Sequence, residues 1–180
     1  MERNLTHIAL FAALIAVLGM VPPISLASGV PITAQSLGIM LCGTVLGAKR
    51  GALAVLLFLA LVAAGLPILS GGRGGLGVFA GPSVGFLIGF PVAAFVAGWV
   101  VEHLPAPVGI AAGIGAALGG IVVLYAFGIP GMAFMLDKTW GEATLLITPY
   151  LVGDTIKVVL SGLITQAIAR MRPQSLLSRA

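Results

Sequence analysis

Long apolar stretches follow one another along most of the chain, and they constrain the fold more than any other feature of the sequence. Several of them approach or exceed the roughly 18 residues that cross a bilayer as a helix. Charged residues make up only 8% of the 180 residues, whereas soluble domains carry about 25%. No polar segment is long enough to fold separately. The sequence therefore predicts an all-α membrane protein, with residues 1–180 forming a single membrane-embedded domain.

Six apolar segments are delimited by proline, glycine and charged residues. They cover about residues 5–21, 34–46, 51–65, 82–101, 108–127 and 148–170. The second and third are short for a full span, so a few loop residues are expected to complete them. Pro82 and Pro149 suit the first position of a helix, and Thr148 is the expected N-cap of the last one. The longest connection is then residues 128–146, a candidate interfacial helix or lid.

The first segment allows a second interpretation, because the small residues Ser25 and Ala27 follow it as they follow a cleaved signal peptide. However, about 17 apolar residues exceed the usual core of a signal peptide, so we expect the segment to be retained. Ala9 and Ala13 lie one helical turn apart and let another helix approach closely. Most such pairs pack within their own bundle.

The basic residues favour one orientation in the membrane. Six segments place both termini on one side, together with six basic residues: Arg3, Lys49, Arg50, Arg170, Arg172 and Arg179. Arg73 and Lys138 fall on the opposite side. The positive-inside rule then predicts cytoplasmic termini. The glycine-rich residues 70–77, the connection 128–146 and the start of the last helix would share the outer face.

The last segment carries an acid and a base within its apolar run. Asp154 and Lys157 are three residues apart, so both side chains leave one face of a helix. Each charge costs roughly 2.5–3.5 kcal/mol at the bilayer centre, and such residues mark functional sites by default. They lie roughly 8 and 12 Å below the expected helix start, on the outer side. The alternative is that the two residues pair with each other and only specify packing.

The pair of charges suits a neutral ligand that has N–H donors beside a carbonyl. A carboxylate accepts hydrogen bonds and an ammonium donates up to three, so together they can serve an amide or a urea. Cys42 is the only cysteine, which excludes intrachain disulfides and cysteine metal sites. His7 and His103 lie at segment ends, and no nucleophile–His–acid set is present. We therefore predict no enzyme and no metal site.

A glycine-rich loop links the third and fourth segments. Gly72, Gly74 and Gly77 formally match G-x-G-x-x-G, but no βαβ unit surrounds them, so the match carries no weight. No Walker A sequence occurs, so the chain is not expected to bind or hydrolyse ATP. The glycines allow close approach to a ligand or to a neighbouring helix. The N–H groups at Gly81 and Ser83, where the fourth helix begins, suit an anionic group.

Three blocks of sequence together resemble one family. They are Pro-Ile-Thr-Ala-Gln at 31–35, Gly-Pro-Ser-Val-Gly-Phe-Leu-Ile-Gly-Phe at 81–90 and Gly-Asp-Thr-Ile-Lys at 153–157. In this order they resemble BioY, the biotin-binding S component of energy-coupling-factor (ECF) vitamin transporters. The resemblance implies a six-helix protein of the cell membrane that captures biotin from outside with high affinity. It also implies a transmembrane coupling subunit and ATPase subunits as partners, which alone would hydrolyse ATP, while the chain itself needs no cofactor and binds no nucleic acid.

The resemblance also implies roles for particular residues. Asp154 and Lys157 match the acid and base that the family uses on its ligand: the carboxylate would take ureido N–H groups, and the ammonium would meet the ureido oxygen. Thr33 and Gln35 match polar positions of the first outer loop. Tyr125 matches an aromatic position near the pocket, although a tyrosine at a helix end is otherwise typical of an interface anchor.

Other positions are matched less closely. The biotin carboxylate would meet Arg73 or the N–H groups around Ser83, and Ala9 with Ala13 resembles the patch that docks S components onto the coupling subunit. Phe86 stands where the family commonly has tyrosine, and the missing hydroxyl weakens the case for a pocket role. Three alternatives stay open: an S component for another vitamin, a solitary secondary transporter with Asp154 as proton carrier, or a structural membrane subunit.

Overall fold

The computed structural model describes residues 2–26 and 29–179, without the side chain of Arg3. The expectations placed on Ala27 and on the charge of Arg3 therefore lie outside the described residues. Within these ranges the chain forms six α-helices and no named strand. They are α1 Glu2–Leu18, α2 Gln35–Leu46, α3 Ala48–Ala63, α4 Val84–His103, α5 Val108–Met135 and α6 Trp140–Met171. The predicted all-helical fold with six helices is confirmed.

Three of the helices in the described ranges are long and apolar enough to cross a membrane. They are α4, α5 and α6, while α1 and α2 are apolar but shorter. The shortness of α2 matters for the site, because α6 extends beyond the start of α2, where Val30 of the preceding loop contacts Tyr150 instead.

The junction of α2 and α3 consists of Gly47 alone. Its φ of 87° lies in the left-handed region, which favours glycine. A Cβ at this position would also overlap the carboxylate of Glu102. That carboxylate accepts a 2.8 Å hydrogen bond from the backbone N–H of Ala48, at the positive end of α3. The expected third segment therefore begins earlier, and Lys49 and Arg50 lie in the first turn of α3.

Helix α5 continues beyond its predicted end at residue 127, through Gly128 and Pro130 to Met135. These residues normally weaken a helix, but here glycine lets α4 and α5 approach each other. A Cβ on Gly128 would overlap the ring of Phe86, and one on Gly131 would lie 2.6 Å from the Cα of Gly85. Close packing between two helices therefore outweighs local propensity.

Helix α6 begins at Trp140, so the predicted start at Thr148 is wrong. Its N-cap is Thr139, whose hydroxyl accepts from the backbone N–H of Glu142 at 3.3 Å. The Glu142 carboxylate accepts from the N–H of Thr139 at 2.8 Å, which completes a capping box. Pro149 lies inside the helix. The predicted long connection over residues 128–146 is also wrong, since only residues 136–139 separate α5 from α6.

The earlier start of α6 changes the depth of the two charged residues. At 1.5 Å per residue, Asp154 and Lys157 lie about 21 and 26 Å from the first residue of the helix, near its middle. The predicted depths of 8 and 12 Å are therefore too small. Helix α4 shows a smaller shift, because it begins at Val84 rather than at Pro82.

The bundle has two distinct ends. The site end carries the starts of α2, α4 and α6, and the tail end carries the C-terminal residues, which fold back under the helices. There the Ser178 hydroxyl donates to the carbonyl of Thr44 at 2.6 Å, and Arg179 donates to the carbonyl of Leu104 at 2.8 Å. These bonds tie the tail to α2 and to the link after α4.

Candidate functional site

A cavity opens at the site end, between α2, α4, α5, α6 and the chain around residues 30–33. The cavity itself has a volume of about 60 Å³, several times what one water needs. With its open mouth, the space between its walls is about 560 Å³. The wall is mainly apolar, and its polar and aromatic hydroxyl residues are Thr33, Gln35, Ser36, Arg73, Ser83, Tyr150, Asp154 and Lys157.

The floor of the cavity is set by the first turn of α2. Lys157 Nζ on α6 donates a 2.9 Å hydrogen bond to Ser36 Oγ, the second residue of α2. The two charged residues of α6 thus lie level with the start of this short helix. The Asp154 carboxylate benefits from this place, because the N-terminus of a helix is its positive end.

Asp154 and Lys157 form an ion pair at this floor. Lys157 Nζ lies 2.9 Å from Asp154 Oδ1, and the side chains of Lys157 and Asp154 are 12% and 6% exposed. The other carboxylate oxygen accepts a 2.7 Å hydrogen bond from the hydroxyl of Tyr125 on α5. Ser36 Oγ lies 3.5 Å from Oδ1 and can also donate to it. Two neighbouring helices, α2 and α5, therefore supply polar partners to a pair of nearly buried charges on α6.

The pair keeps hydrogen-bonding capacity for a ligand. An ammonium has three donors, and among the described residues Lys157 uses two of them, on Asp154 and Ser36. A carboxylate has about four acceptor positions, and the described partners of Asp154 occupy at most three. One donor thus remains beside one acceptor. A group with an N–H next to a carbonyl oxygen complements this arrangement.

Arg73 adds a positive charge to the wall near Ser83. Its Nη1 lies 3.5 Å from Ser83 Oγ, and its Nε donates to the carbonyl of Ser70 at 3.2 Å. In the described part of the chain no carboxylate forms an ion pair with this guanidinium. It is therefore free to pair with an anionic group of a ligand.

Gln35 lines the cavity, but its amide is committed to the fold. Its Nε2 donates to the carbonyls of Ile15 and Ile68, both at 3.1 Å, and its Oε1 accepts from the N–H of Ser70 at 2.9 Å. The side chain joins α1, α2 and the glycine-rich loop. Any effect of Gln35 on a ligand therefore acts mainly through the position of that loop.

The remaining predicted site residues take different places. Thr33 and Ser83 line the cavity, whereas Gly81 precedes α4 and does not line it. Tyr125 reaches the site through Asp154 rather than as a lining residue. Ala9 and Ala13 lie on the exposed face of α1, away from the cavity.

Three residues of the site had no role assigned to them from the sequence. Ser36 contacts both charges. Tyr150 lines the cavity, donates from its hydroxyl to the carbonyl of Val30, and stacks on Phe86 with 6.3 Å between ring centroids. Tyr150 precedes Asp154 by four residues, and this helical spacing was a usable signal. Phe86 is part of the wall even without a hydroxyl.

The fold and site together define a helical protein, with helices long and apolar enough for a membrane, that encloses a small-molecule cavity around a buried ion pair. A sequence model of the BioY family matches residues 2–174. The chain belongs to the BioY family.

Named relatives extend over nearly the whole chain. The biotin transporter BioY of Rhodobacter capsulatus is 58% identical, covering 99% of this chain and 100% of its own length. That of Rhizobium etli is 50% identical and covers 92% of each chain. A crystal structure of the S component for biotin from an ECF-type ABC transporter superimposes with a TM-score of 0.89 at 31% identity. The match covers 94% of this chain and 92% of that one.

These matches confirm the resemblance stated from the sequence, and they confirm the S-component fold. Since the family consists of transport proteins, they also confirm that the chain is not an enzyme.

Proposed function

We propose that this chain binds biotin with high affinity and takes part in biotin uptake as the substrate-binding S component of an ECF-type transporter. Its similarity to biotin transporters and to a crystallised S component for biotin supports this function. The observation that carries it is the Asp154–Lys157 pair at the floor of a cavity, with one donor and one acceptor left over. A ureido group presents N–H groups beside a carbonyl and matches both.

The cavity suggests how biotin lies. Its ureido ring meets the ion pair, with N–H groups on Asp154 and the oxygen on Lys157. Its aliphatic part lies against the apolar wall, which includes Phe86 and Phe90. Its carboxylate reaches Arg73 near Ser83, since this cation has no carboxylate partner among the described residues. Thr33, in the loop before α2, lines the cavity beside the ligand.

We propose that all six helices cross the cell membrane as one domain, with both termini in the cytoplasm and the cavity open to the outside. The distribution of positive charge supports this orientation. The tail end of the bundle carries Lys49, Arg50, Arg170, Arg172 and Arg179, whereas Arg73 and Lys138 belong to the site end. Short helices such as α2 cross the membrane with the help of the adjoining loop residues.

The partners of the chain would be a transmembrane coupling subunit and ATPase subunits, which hydrolyse ATP while the chain itself holds no cofactor. Ala9 and Ala13 are exposed one turn apart on α1, so a helix of the coupling subunit can approach there closely. Closure over biotin would involve the loop before α2 and the glycine-rich loop of residues 70–77. In the glycine-rich loop Gly71, Gly72 and Gly75 have positive φ. The connection after α5 is too short to form a lid.

The proposed ligand is tested by titrating the purified chain in detergent with labelled biotin. Saturable binding is expected, with displacement by unlabelled biotin and no displacement by thiamine or riboflavin. Displacement by one of the other vitamins would reassign the ligand, and no binding at all would favour a structural subunit.

A second experiment separates an S component from a solitary secondary transporter. The purified chain alone is reconstituted in liposomes and uptake of labelled biotin is followed. We expect little uptake without the partner subunits. Rapid uptake that stops when the proton gradient is collapsed would instead favour Asp154 as a proton carrier.

A further inference from the structure

Helix α5 changes its geometry just before it reaches the site. A single π-helical turn covers Leu118–Val123, and α-helical geometry resumes at Leu124. Leu124 lines the cavity and Tyr125 donates to Asp154. Because a π turn absorbs one extra residue, it rotates the residues after it by about 100° relative to an uninterrupted α-helix. The turn therefore decides which face of α5 carries Tyr125.

Two glycines in this turn are contact points for neighbouring helices. A Cβ on Gly119 would overlap the carbonyl oxygen of Ala93 on α4. A Cβ on Gly120 would overlap Cε of Met40 on α2 and lie 2.8 Å from its Cγ and 3.2 Å from its Sδ. Met40 is 1% exposed. Its side chain therefore occupies the space that the missing side chain of Gly120 leaves open.

This contact lies directly below the ion pair on both helices. Met40 follows Ser36 by one turn on α2, and Tyr125 follows Gly120 on α5. Ser36 and Tyr125 are the uncharged partners of Lys157 and Asp154. The contact between Met40 and Gly120 thus joins α2 and α5, the two helices that carry these hydroxyls.

We propose that Met40 and Gly120 are positioning residues for the biotin site. Met40, packed against the π-helical turn, holds α5 at the rotation and distance at which the Tyr125 hydroxyl reaches Asp154. The inference rests on the proposed biotin function for its ligand, but its geometric part concerns Tyr125 alone. The competing interpretation is that Met40 only fills space, as methionine often does in cores.

Gly120→Ala tests the contact, and Gly113→Ala is its matched control on the same helix. The Cβ of residue 113 would have open space around it, so the control should bind biotin within twofold of wild type. Gly120→Ala forces the Met40 side chain to move at its Cγ, inside a closed core. We expect biotin affinity to fall at least tenfold. Met40→Ala in the same chain makes room for the new methyl group, so the double variant should recover most of the loss.

A second measurement reports on Tyr125 without biotin. The chain has two tyrosines, so incorporation of 3-fluorotyrosine gives two ¹⁹F signals, and Tyr125→Phe identifies that of Tyr125. We expect this signal to shift in Gly120→Ala and to return in the double variant, while the Tyr150 signal changes little. Met40→Ala alone should also shift it, which provides a test even where Gly120→Ala does not yield folded protein.

Tyr125→Phe also connects the geometry to binding. It should weaken biotin binding in the wild-type background and add no further loss to Gly120→Ala. An equal loss in both backgrounds would overturn the inference, as would an unshifted Tyr125 signal together with unchanged affinity in Gly120→Ala. If the wild-type chain binds no biotin but the Tyr125 signal still responds to Gly120→Ala, the proposed ligand is wrong and the positioning role stands.

Discussion

Tyr125 on α5 donates a 2.7 Å hydrogen bond to Oδ2 of Asp154 on α6, the carboxylate oxygen opposite the one that Lys157 holds. Each carboxylate oxygen therefore has its own partner. Asp154 is also nearly buried, with only 4% of the residue exposed. Such a network is stable only when its members are satisfied, because an unpaired buried charge is costly. The arrangement keeps two charges in place while leaving capacity for a ligand.

Asp154→Asn should weaken biotin binding at least tenfold. The amide keeps the shape of the side chain but leaves the Lys157 ammonium without its counter-charge and weakens the acceptor for ureido N–H groups. Isothermal titration of the purified variant measures the effect, and Asp137→Asn, in the connection before α6, is the control. Wild-type affinity in a folded Asp154→Asn protein would remove Asp154 from the site.

Tyr125→Phe should weaken binding at least tenfold, because a hydrogen bond to a charged group contributes about 1.5–3 kcal/mol. The carboxylate would lose one of its partners without losing its charge. Phe134→Leu on the same helix is the control, since Phe134 is 82% exposed. A titration that shows equal affinity for both variants and wild type would contradict a role for the hydroxyl.

Arg73→Gln should abolish a preference for biotin over biotin amide. The wild-type chain is expected to bind the carboxylate form more tightly, because Arg73 lines the cavity without a carboxylate partner in the described residues. Competition of each compound against labelled biotin gives the ratio of affinities. If the variant keeps the wild-type ratio, another group holds the carboxylate.

Gln35→Ala should lower stability by about 2–4 kcal/mol. The carbonyl of Ile15 still accepts from the N–H of Gly19, but the half-buried carbonyl of Ile68 and the buried N–H of Ser70 lose their partner. Each unsatisfied buried group costs about 1–3 kcal/mol. Thermal unfolding in detergent should show a lower midpoint than in Thr33→Ala, the neighbouring control. Equal midpoints would show that these three bonds contribute little.

Ala9→Leu and Ala13→Leu should reduce biotin uptake by cells that supply the partner subunits, without changing biotin binding by the purified chain. A larger side chain on the exposed face of α1 prevents close approach of a partner helix. Ala167→Leu, on an exposed position of α6, is the matched control. Normal uptake by both α1 variants would exclude this face as the docking surface.

Much of the fold could be predicted because its signals are local. Apolar runs separated by proline, glycine and charge predicted six helices, and the spacing of Asp154 and Lys157 predicted a shared helix face. The errors fall where a distant contact outweighs a local signal. Gly128 and Pro130 are typical of a helix end, yet α5 continues through them because Phe86 and Gly85 of α4 pack closely there.

The start of α6 shows a different kind of error. The capping box of Thr139 and Glu142 is present in the sequence, but Thr148 followed by Pro149 competes with it as a local start signal. Both match the rules for helix starts. Proline within an otherwise apolar helix costs a hydrogen bond, and only the packing of the whole helix outweighs that cost.

The sequence by itself determined the helical class, the family and the two charges that define the site, because composition, helical period and motif are properties of neighbouring residues. Only the tertiary structure decided that Ser36 and Tyr125 hydrogen-bond to the ion pair and that the amide of Gln35 bonds to backbone groups of other segments. It also decided that Met40 rests on Gly120. These relationships join helices separated by dozens of residues, and hydrogen bonds and close packing depend on distances that no local pattern encodes.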